Sequence, residues 1–160
     1  THVTANRGIR RHTAKINCRH CKAPGETICH VLCACPWTLQ LRVKRHDRIV
    51  HLVKEQLKSK GYVVIDEPHY RVLGSLYKPD LVATKGGRSW IIDPTIIWED
   101  DNFGDRSINA SQNKSCEYDC IRVLVATQTN TICKGSYGIV LGVRGTIPCT
   151  PNALTRHSLF

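Results

Sequence analysis

The chain contains no methionine, and none of its apolar stretches approaches the length of a membrane span. No signal-peptide pattern opens it at Thr1, and no internal repeat runs through it. A complete translation product ordinarily starts with Met, so its absence predicts a fragment or a processed piece of a longer protein. Acids are scarce as well: 13 Asp and Glu stand against 23 Lys and Arg, a net charge of +10. That imbalance favours a polyanionic partner such as nucleic acid, and with no apolar stretch near the length of a span no membrane is expected. The alternative is a soluble protein that is merely basic. With 160 residues there is room for one modest domain with a real core, plus a small appendage.

Cysteine, by contrast, is abundant: nine in all, five of them between Cys18 and Cys35. An odd, clustered set suits metal binding in a reducing compartment better than a disulfide framework. Cys18-x2-Cys21-x8-His30-x4-Cys35 supplies three thiolates and one imidazole, a full tetrahedral set for zinc. The two-residue gap lets Cys18 and Cys21 bind one ion from a single turn. His30 and Cys35 then close the site, which makes it structural because no position remains for water. Cys29 and Cys33 are rival ligands, and buried free thiols are the alternative.

Residues 1–17 read as a basic arm (Arg7, Arg10, Arg11, His12, Lys15), residues 18–36 as the zinc knuckle, and residues 37–160 as the main domain. From Trp37 to Lys60 apolar residues recur near helical spacing, with Gly61 as the stop. The polar face of that helix is almost single-signed and suited to lie along phosphates; within it, Arg42, Arg45 and His46 either contact DNA or brace nearby acids. Tyr62–Ile65 reads as a strand, Asp105–Tyr118 as a helix, and Ile121–Ala126 and Tyr137–Val143 as two further strands. A last helix begins in the tail from Thr146 to Phe160. The sum is a mixed α/β domain behind a Cys/His appendage.

The most informative pattern reads as a hairpin with acids at its base. Gly86-Gly87 between two apolar runs signals a two-residue turn, because both central positions need φ > 0. Counting outwards from that turn sets Asp80 opposite Asp93, with Cβ atoms about 4.5–5.5 Å apart. Two carboxylates so close repel unless something positive sits between them, and a hard divalent cation is the natural candidate. The alternative is a different register, or acids that only flank a solvated hairpin. Pro94 interrupts the second strand and predicts a bulge or an edge there.

The motifs then fall in a recognisable order. Cys18-x2-Cys21, Glu26-Thr27-x2-His30, Cys35-Pro36, Arg42-x2-Arg45-His46-Asp47, Gly61-Tyr62, Glu67-Pro68, Pro79-Asp80-Leu81, Ile92-Asp93 and Arg144-Gly145 cover nearly the whole chain. That order resembles the C-terminal end of the site-specific non-LTR retrotransposon polyproteins that insert into ribosomal RNA genes of arthropods. The resemblance implies a CCHC zinc knuckle followed by a restriction-endonuclease-like domain of the PD-(D/E)xK class, a mixed sheet flanked by helices. It also implies a parent protein in which an RNA-directed DNA polymerase (a nucleotidyltransferase) precedes Thr1 and binds the element RNA, with a nuclear location.

By the resemblance, Asp80 and Asp93 are catalytic acids that hold Mg²⁺ with a backbone carbonyl near Pro94, and Lys114 stabilises charge at the scissile phosphate of double-stranded DNA. The usual D-x-K pattern would place Lys where this chain has Thr95. In this branch the Lys comes from the following helix, in a pattern ending Lys-x-x-Lys-Tyr. Lys114-Ser115-Cys116-Glu117-Tyr118 keeps the first Lys and the Tyr, with Glu117 in place of the second Lys. Glu67 reads as an outer ligand or as a structural acid before a turn. The expected activity is a nick in target DNA whose 3′ end primes reverse transcription. The competing reading is a non-catalytic zinc-containing nucleic-acid-binding module, whose acids only form salt bridges.

Overall fold

The computed structural model describes residues 17–148. The basic arm and the expected tail helix therefore lie outside the described residues, apart from Asn17 at one end and residues 146–148 at the other. The chain divides into two compact units, the first ending at Arg45 and the second beginning at His46.

In the first unit a tight turn places Lys22 N–H on Cys18 O at 2.9 Å and Cys18 N–H on Ala23 O at 2.8 Å. A single π-turn, His30–Ala34, follows. It stops at Cys35, which is extended (φ −62°, ψ 124°) because the ring of Pro36 disfavours helical backbone in the residue before it. Pro36 then opens a 3₁₀ turn, Pro36–Thr38, where its missing N–H costs nothing. Thr38 Oγ1 donates to Val31 O at 2.7 Å and is 3.0 Å from Cys35 O, which ties that turn to the one before it. Helix α1 (Leu39–Ser59) starts here and continues into the second unit.

In the second unit Val50, Val53 and Leu57 recur at helical spacing along α1 and reach one core. The strands are β1 (Val63–Asp66), a separate small hairpin of β2 (Tyr70–Val72) and β3 (Ser75–Tyr77), then β4 (Leu81–Lys85), β5 (Arg88–Ile97) and β6 (Ile132–Gly142). The main sheet runs β1-β4-β5-β6, antiparallel between the first three and parallel between β5 and β6. Strand alternation sorts the side chains. Leu81, Ala83, Trp90 and Ile92 join the core with Leu57, whereas Val82 and Ile91 join a second core on the other face with Tyr118, Ile121 and Val125. The β2–β3 hairpin, which the sequence reading did not anticipate, adds Tyr70, Val72 and Tyr77 to that second core.

A parallel neighbour requires a crossover connection. Helices α2 (Phe103–Glu117) and α3 (Arg122–Thr129), joined by a 3₁₀ turn at Asp119–Ile121, supply it. This corrects the strand expected at Ile121–Ala126. Its β-branched run suggested a strand, but only Ile121 and Val125, four residues apart, are fully buried, while Val123 is 75% exposed. That is helical spacing, and Asn130 ends the helix in the left-handed region.

Candidate functional site

The four knuckle ligands converge. The ligand atoms of Cys18, Cys21, His30 and Cys35 all lie within 4.8 Å of one another, and no other His, Cys, Asp or Glu cluster of that kind occurs among the described residues. Cys18 Sγ and Cys35 Sγ are 3.8 Å apart, close to the edge of a tetrahedron with zinc–sulfur bonds of about 2.3 Å. Cys21 Sγ is 3.2 Å from His30 Nε2. Backbone N–H groups of Cys21 and His20 pull the Cys18 thiol down to about 6, which favours the thiolate a metal needs. The group can hold a zinc ion. Cys29 and Cys33 stand outside it as free thiols, with burial pushing Cys33 up.

Arg42 and Arg45 face the knuckle's own backbone. Arg42 Nη1 donates to Cys33 O at 2.9 Å, and Arg45 Nη2 donates to Leu32 O at 3.0 Å. Both therefore satisfy carbonyls at the end of the π-turn, which has no following helical N–H to receive. Glu26, 2% exposed, holds Arg19 through a 2.8 Å ion pair and accepts the Arg19 backbone N–H at 2.8 Å.

The second site is at the base of the β4–β5 hairpin. Gly86 and Gly87 adopt φ of +55° and +71°, and the register runs from Lys85↔Arg88 to Leu81↔Ile92. One step further along that register sets Asp80 beside Asp93. Asp93 lies on β5 and pairs with Gly138 of β6. Asp80 is held by His46, whose Nε2 is 3.2 Å from Asp80 Oδ2 and 3.1 Å from Pro94 O. Both neighbours are acceptors, so Nε2 carries the hydrogen.

Pro94 runs on within β5 rather than breaking it, paired with Ile139. In a strand, the N and C=O of one residue point to the same side, and Pro94 O faces His46 rather than β6. The missing N–H thus falls on the side where β4 has already ended, and no ladder bond is lost.

From the opposite face α2 brings Lys114 and the residue that caps it, Tyr118. Tyr118 donates its hydroxyl to Asp93 Oδ2 at 2.6 Å, and Lys114 Nζ lies 3.5 Å from the same oxygen and 3.1 Å from Glu117 Oε2. The ammonium also sits 5.5 Å from the centre of the Tyr118 ring, as the four-residue spacing allows.

α2 can approach this closely because Gly138 has no side chain. A Cβ there would meet Lys114 Cβ at 2.9 Å and Ser111 Cα at 3.0 Å. Ser111 Oγ donates to Gly138 O at 2.9 Å, and Ser115 and Ser136 exchange hydroxyl-to-carbonyl bonds of 2.9 and 3.0 Å.

Electrostatically the two acids differ. Asp93 is 5% exposed and has the Tyr118 hydroxyl and the Lys114 ammonium beside it. Asp80 is pushed up to about 6, first by burial and then by the charge of Asp93, with His46 and Lys114 opposing. Lys114 is raised by Asp93 and Glu117 against burial, which works in the opposite direction. Tyr118 is raised by burial and by its bond to Asp93, so it remains a phenol donor.

The structure thus brings Asp80, Asp93, Lys114 and His46 together. Glu67 meets this group only through its backbone N–H, which donates to Asp80 O at 2.9 Å, while its side chain is exposed. The sequence reading missed Gly138, for which the signal was a glycine in the middle of an apolar strand. It also missed Glu99, a buried acid in what reads as an acidic loop. Glu99 holds Arg144 Nε at 2.5 Å and the backbone N–H groups of Arg144 and Thr146, and the Thr146 side chain first, then these donors, pull it down to about 2.

No protein-family model matches the chain. It is similar to Pol polyproteins of R2 retrotransposable elements. It is 39% identical over 88 residues, 52% of the chain, to the "Retrovirus-related Pol polyprotein from type-1 retrotransposable element R2" of Popillia japonica. With the protein of the same name from Nasonia vitripennis it is 42% identical over 89 residues, 55% of the chain. With the "Retrovirus-related Pol polyprotein from type-2 retrotransposable element R2DM" of Drosophila melanogaster it is 36% identical over 110 residues, 68% of the chain. The matched stretches make up 18%, 9% and 10% of these relatives, so the chain spans only a small part of their length.

Proposed function

We propose that this chain is the zinc-knuckle and endonuclease part of an R2-type retrotransposon polyprotein, with a restriction-endonuclease-like domain that nicks one strand of double-stranded DNA. The observation that carries this reading is the convergence of two acids and a lysine at the base of the β4–β5 hairpin, with Lys114 Nζ 3.5 Å from Asp93 Oδ2. Its similarity to Pol polyproteins of retrotransposable elements supports nucleic acid as the partner. In the parent, a reverse transcriptase extends the 3′ end that the nick releases, in the nucleus and at ribosomal RNA genes, while binding the element RNA.

The donor set suits Mg²⁺. Asp80 and Asp93 offer hard oxygen ligands side by side, and the upward push on Asp80 marks a place where added positive charge is favourable. Magnesium held there supplies the charge that polarises the phosphate and acidifies the attacking water. His46 keeps Asp80 in place, and Tyr118 keeps Asp93 in place, so neither carboxylate turns away. The Lys114 ammonium stabilises negative charge that grows on the phosphate as the bond to the leaving oxygen breaks.

The alternative, a non-catalytic zinc-containing binding module, is favoured by one observation: Glu117 already pairs with Lys114 at 3.1 Å. Incubating supercoiled plasmid with the protein in Mg²⁺ or in EDTA separates the two. The endonuclease converts plasmid to the open-circular form only with Mg²⁺. Asp80→Ala and Asp93→Ala each lose this conversion while binding DNA as well as before, or tighter, since an acid beside phosphate has been removed. If both variants nick at the parent rate, the binding-module reading replaces this one.

A further inference from the structure

We infer that the stacked pair His20–Trp37 on the zinc knuckle is a binding platform for an unpaired base of single-stranded DNA. The two rings lie 5.1 Å apart between centroids and 11° from parallel. His20 is exposed, and Trp37 is 69% exposed although the imidazole lies against one of its faces. The other face of the indole is thus open to water, a costly position for the largest apolar side chain in the first unit.

The platform is rigidly mounted. Trp37 is the centre of the 3₁₀ turn that begins at Pro36, directly after the zinc ligand Cys35. Thr38 Oγ1 holds that turn by donating to Val31 O, with Cys35 O 3.0 Å away. On the other side, His20 lies between the ligands Cys18 and Cys21, in the turn closed by the Lys22 N–H to Cys18 O bond. Metal binding therefore fixes both rings, and a pre-set aromatic face loses little freedom when a base stacks on it.

Charge selects the occupant. Residues 1–45 carry nine Lys and Arg and a single acid, Glu26, whereas residues 46–160 carry fourteen Lys and Arg against twelve acids. The excess positive charge is concentrated in the segment that bears the stack, and exposed Lys22 and Lys44 lie within it. An apolar peptide would gain nothing from that charge. A single strand uses both features, phosphates on the basic side chains and a base on the indole. A base inside a duplex has both faces covered and cannot use the platform. The choice of DNA over RNA rests on the proposed strand-nicking activity, which leaves a DNA end free to fray.

The test uses the full zinc-loaded chain in buffer without Mg²⁺, so that no cleavage intervenes. Fluorescence anisotropy of a labelled oligo-dT is compared with an oligo-rU and a duplex of equal length. Trp37→Ala is expected to weaken oligo-dT binding about tenfold and to abolish the quenching of indole fluorescence, while Trp37→Phe stays within about threefold of the parent. His20→Ala lowers affinity in the same direction, and duplex binding is unchanged in all three. Zinc content equal to that of the parent confirms that each variant is folded. Equal oligo-dT binding by Trp37→Ala, or an equal loss on the duplex, overturns the platform. Tighter, Trp37-dependent binding of oligo-rU overturns the choice of DNA. Because Asp80→Ala leaves this binding intact, failure of the platform and failure of the endonuclease reading are separately visible.

Discussion

Asp93 and Gly138 are partners across the parallel β5–β6 pair, and the bare α-carbon of Gly138 is what lets Lys114 reach the carboxylate. The acid comes from one strand, the space from its neighbour and the cation from the helix between them in sequence. The site is therefore as sensitive to the spacing of α2 over β6 as to the identity of its charged groups.

Gly138→Ala tests that dependence. The new methyl would meet Lys114 Cβ at 2.9 Å and backbone atoms of Ser111 at 3.0 and 3.1 Å, so the helix has to shift. Overpacking of this kind costs about 1–3 kcal/mol, and the shift withdraws Lys114 from Asp93. A lower urea midpoint together with a nicking rate reduced about as much as in Lys114→Ala is the expected result. Normal nicking in a destabilised variant would show that the helix position does not matter to the chemistry.

Lys114 and Glu117 give a paired expectation. Lys114→Ala removes the only ammonium within reach of Asp93 among the described residues and should slow nicking on the order of a hundredfold. Glu117 competes for that ammonium at 3.1 Å. Glu117→Gln releases it, and Glu117→Lys also adds positive charge beside the phosphate position, so both should raise the single-turnover rate. A drop in rate in both Glu117 variants would mean that the carboxylate positions Lys114 rather than restrains it.

The knuckle should lose its metal when one thiolate is removed. Cys21→Ser is expected to reduce bound zinc from one per chain to none by metal analysis, because the folding of so small a unit and the binding of its ion are one process. Arg42→Ala with Arg45→Ala should loosen the same unit, since both side chains hold π-turn carbonyls. Faster zinc release to a chelator from that double variant is the measurement. An unchanged release rate would assign the two arginines to DNA alone.

Much of this arrangement can be read from the sequence where local chemistry is decisive. Two adjacent glycines between apolar runs favour a two-residue hairpin turn with φ > 0 at both central positions, and centring the turn on them gives the register that places Asp80 beside Asp93. The Cys and His spacing similarly points to the knuckle ligands, although only the structure sets Cys29 and Cys33 apart from them. What could not be read depends on contacts between distant segments. Ile121–Ala126 has the composition of a strand, and only the need to cross from β5 to a parallel β6 makes it helical. Pro94 looked like an interruption because its own side of the strand cannot be known before β4 is placed. Glu99 carries no local signature, and the glycine at position 138 signals a close approach without saying what approaches; one matters for backbone N–H groups some 45 residues away, the other for what it leaves empty.

The final expectation concerns pH and Asp80. Its carboxyl is pushed up to about 6, whereas an unfolded Asp titrates near 3.9. The folded state therefore binds this proton more tightly than the unfolded state does, and between the two values stability falls as pH rises. Above about 6 the full burden of a buried charge next to Asp93 is present, and below about 4 it is absent. Asp80→Asn keeps the shape and can still accept from His46 Nε2, yet it never carries the charge. Measured without divalent cations, the variant should melt several degrees above the parent at pH 8, with the gap closing as pH approaches 4. Adding Mg²⁺ at pH 8 should raise the melting temperature of the parent and leave Asp80→Asn nearly unmoved, because a ligand that binds only the folded site stabilises only the chain that has the site. A parent as stable as the variant at pH 8, and indifferent to Mg²⁺, would show that Asp80 and Asp93 form no cation site.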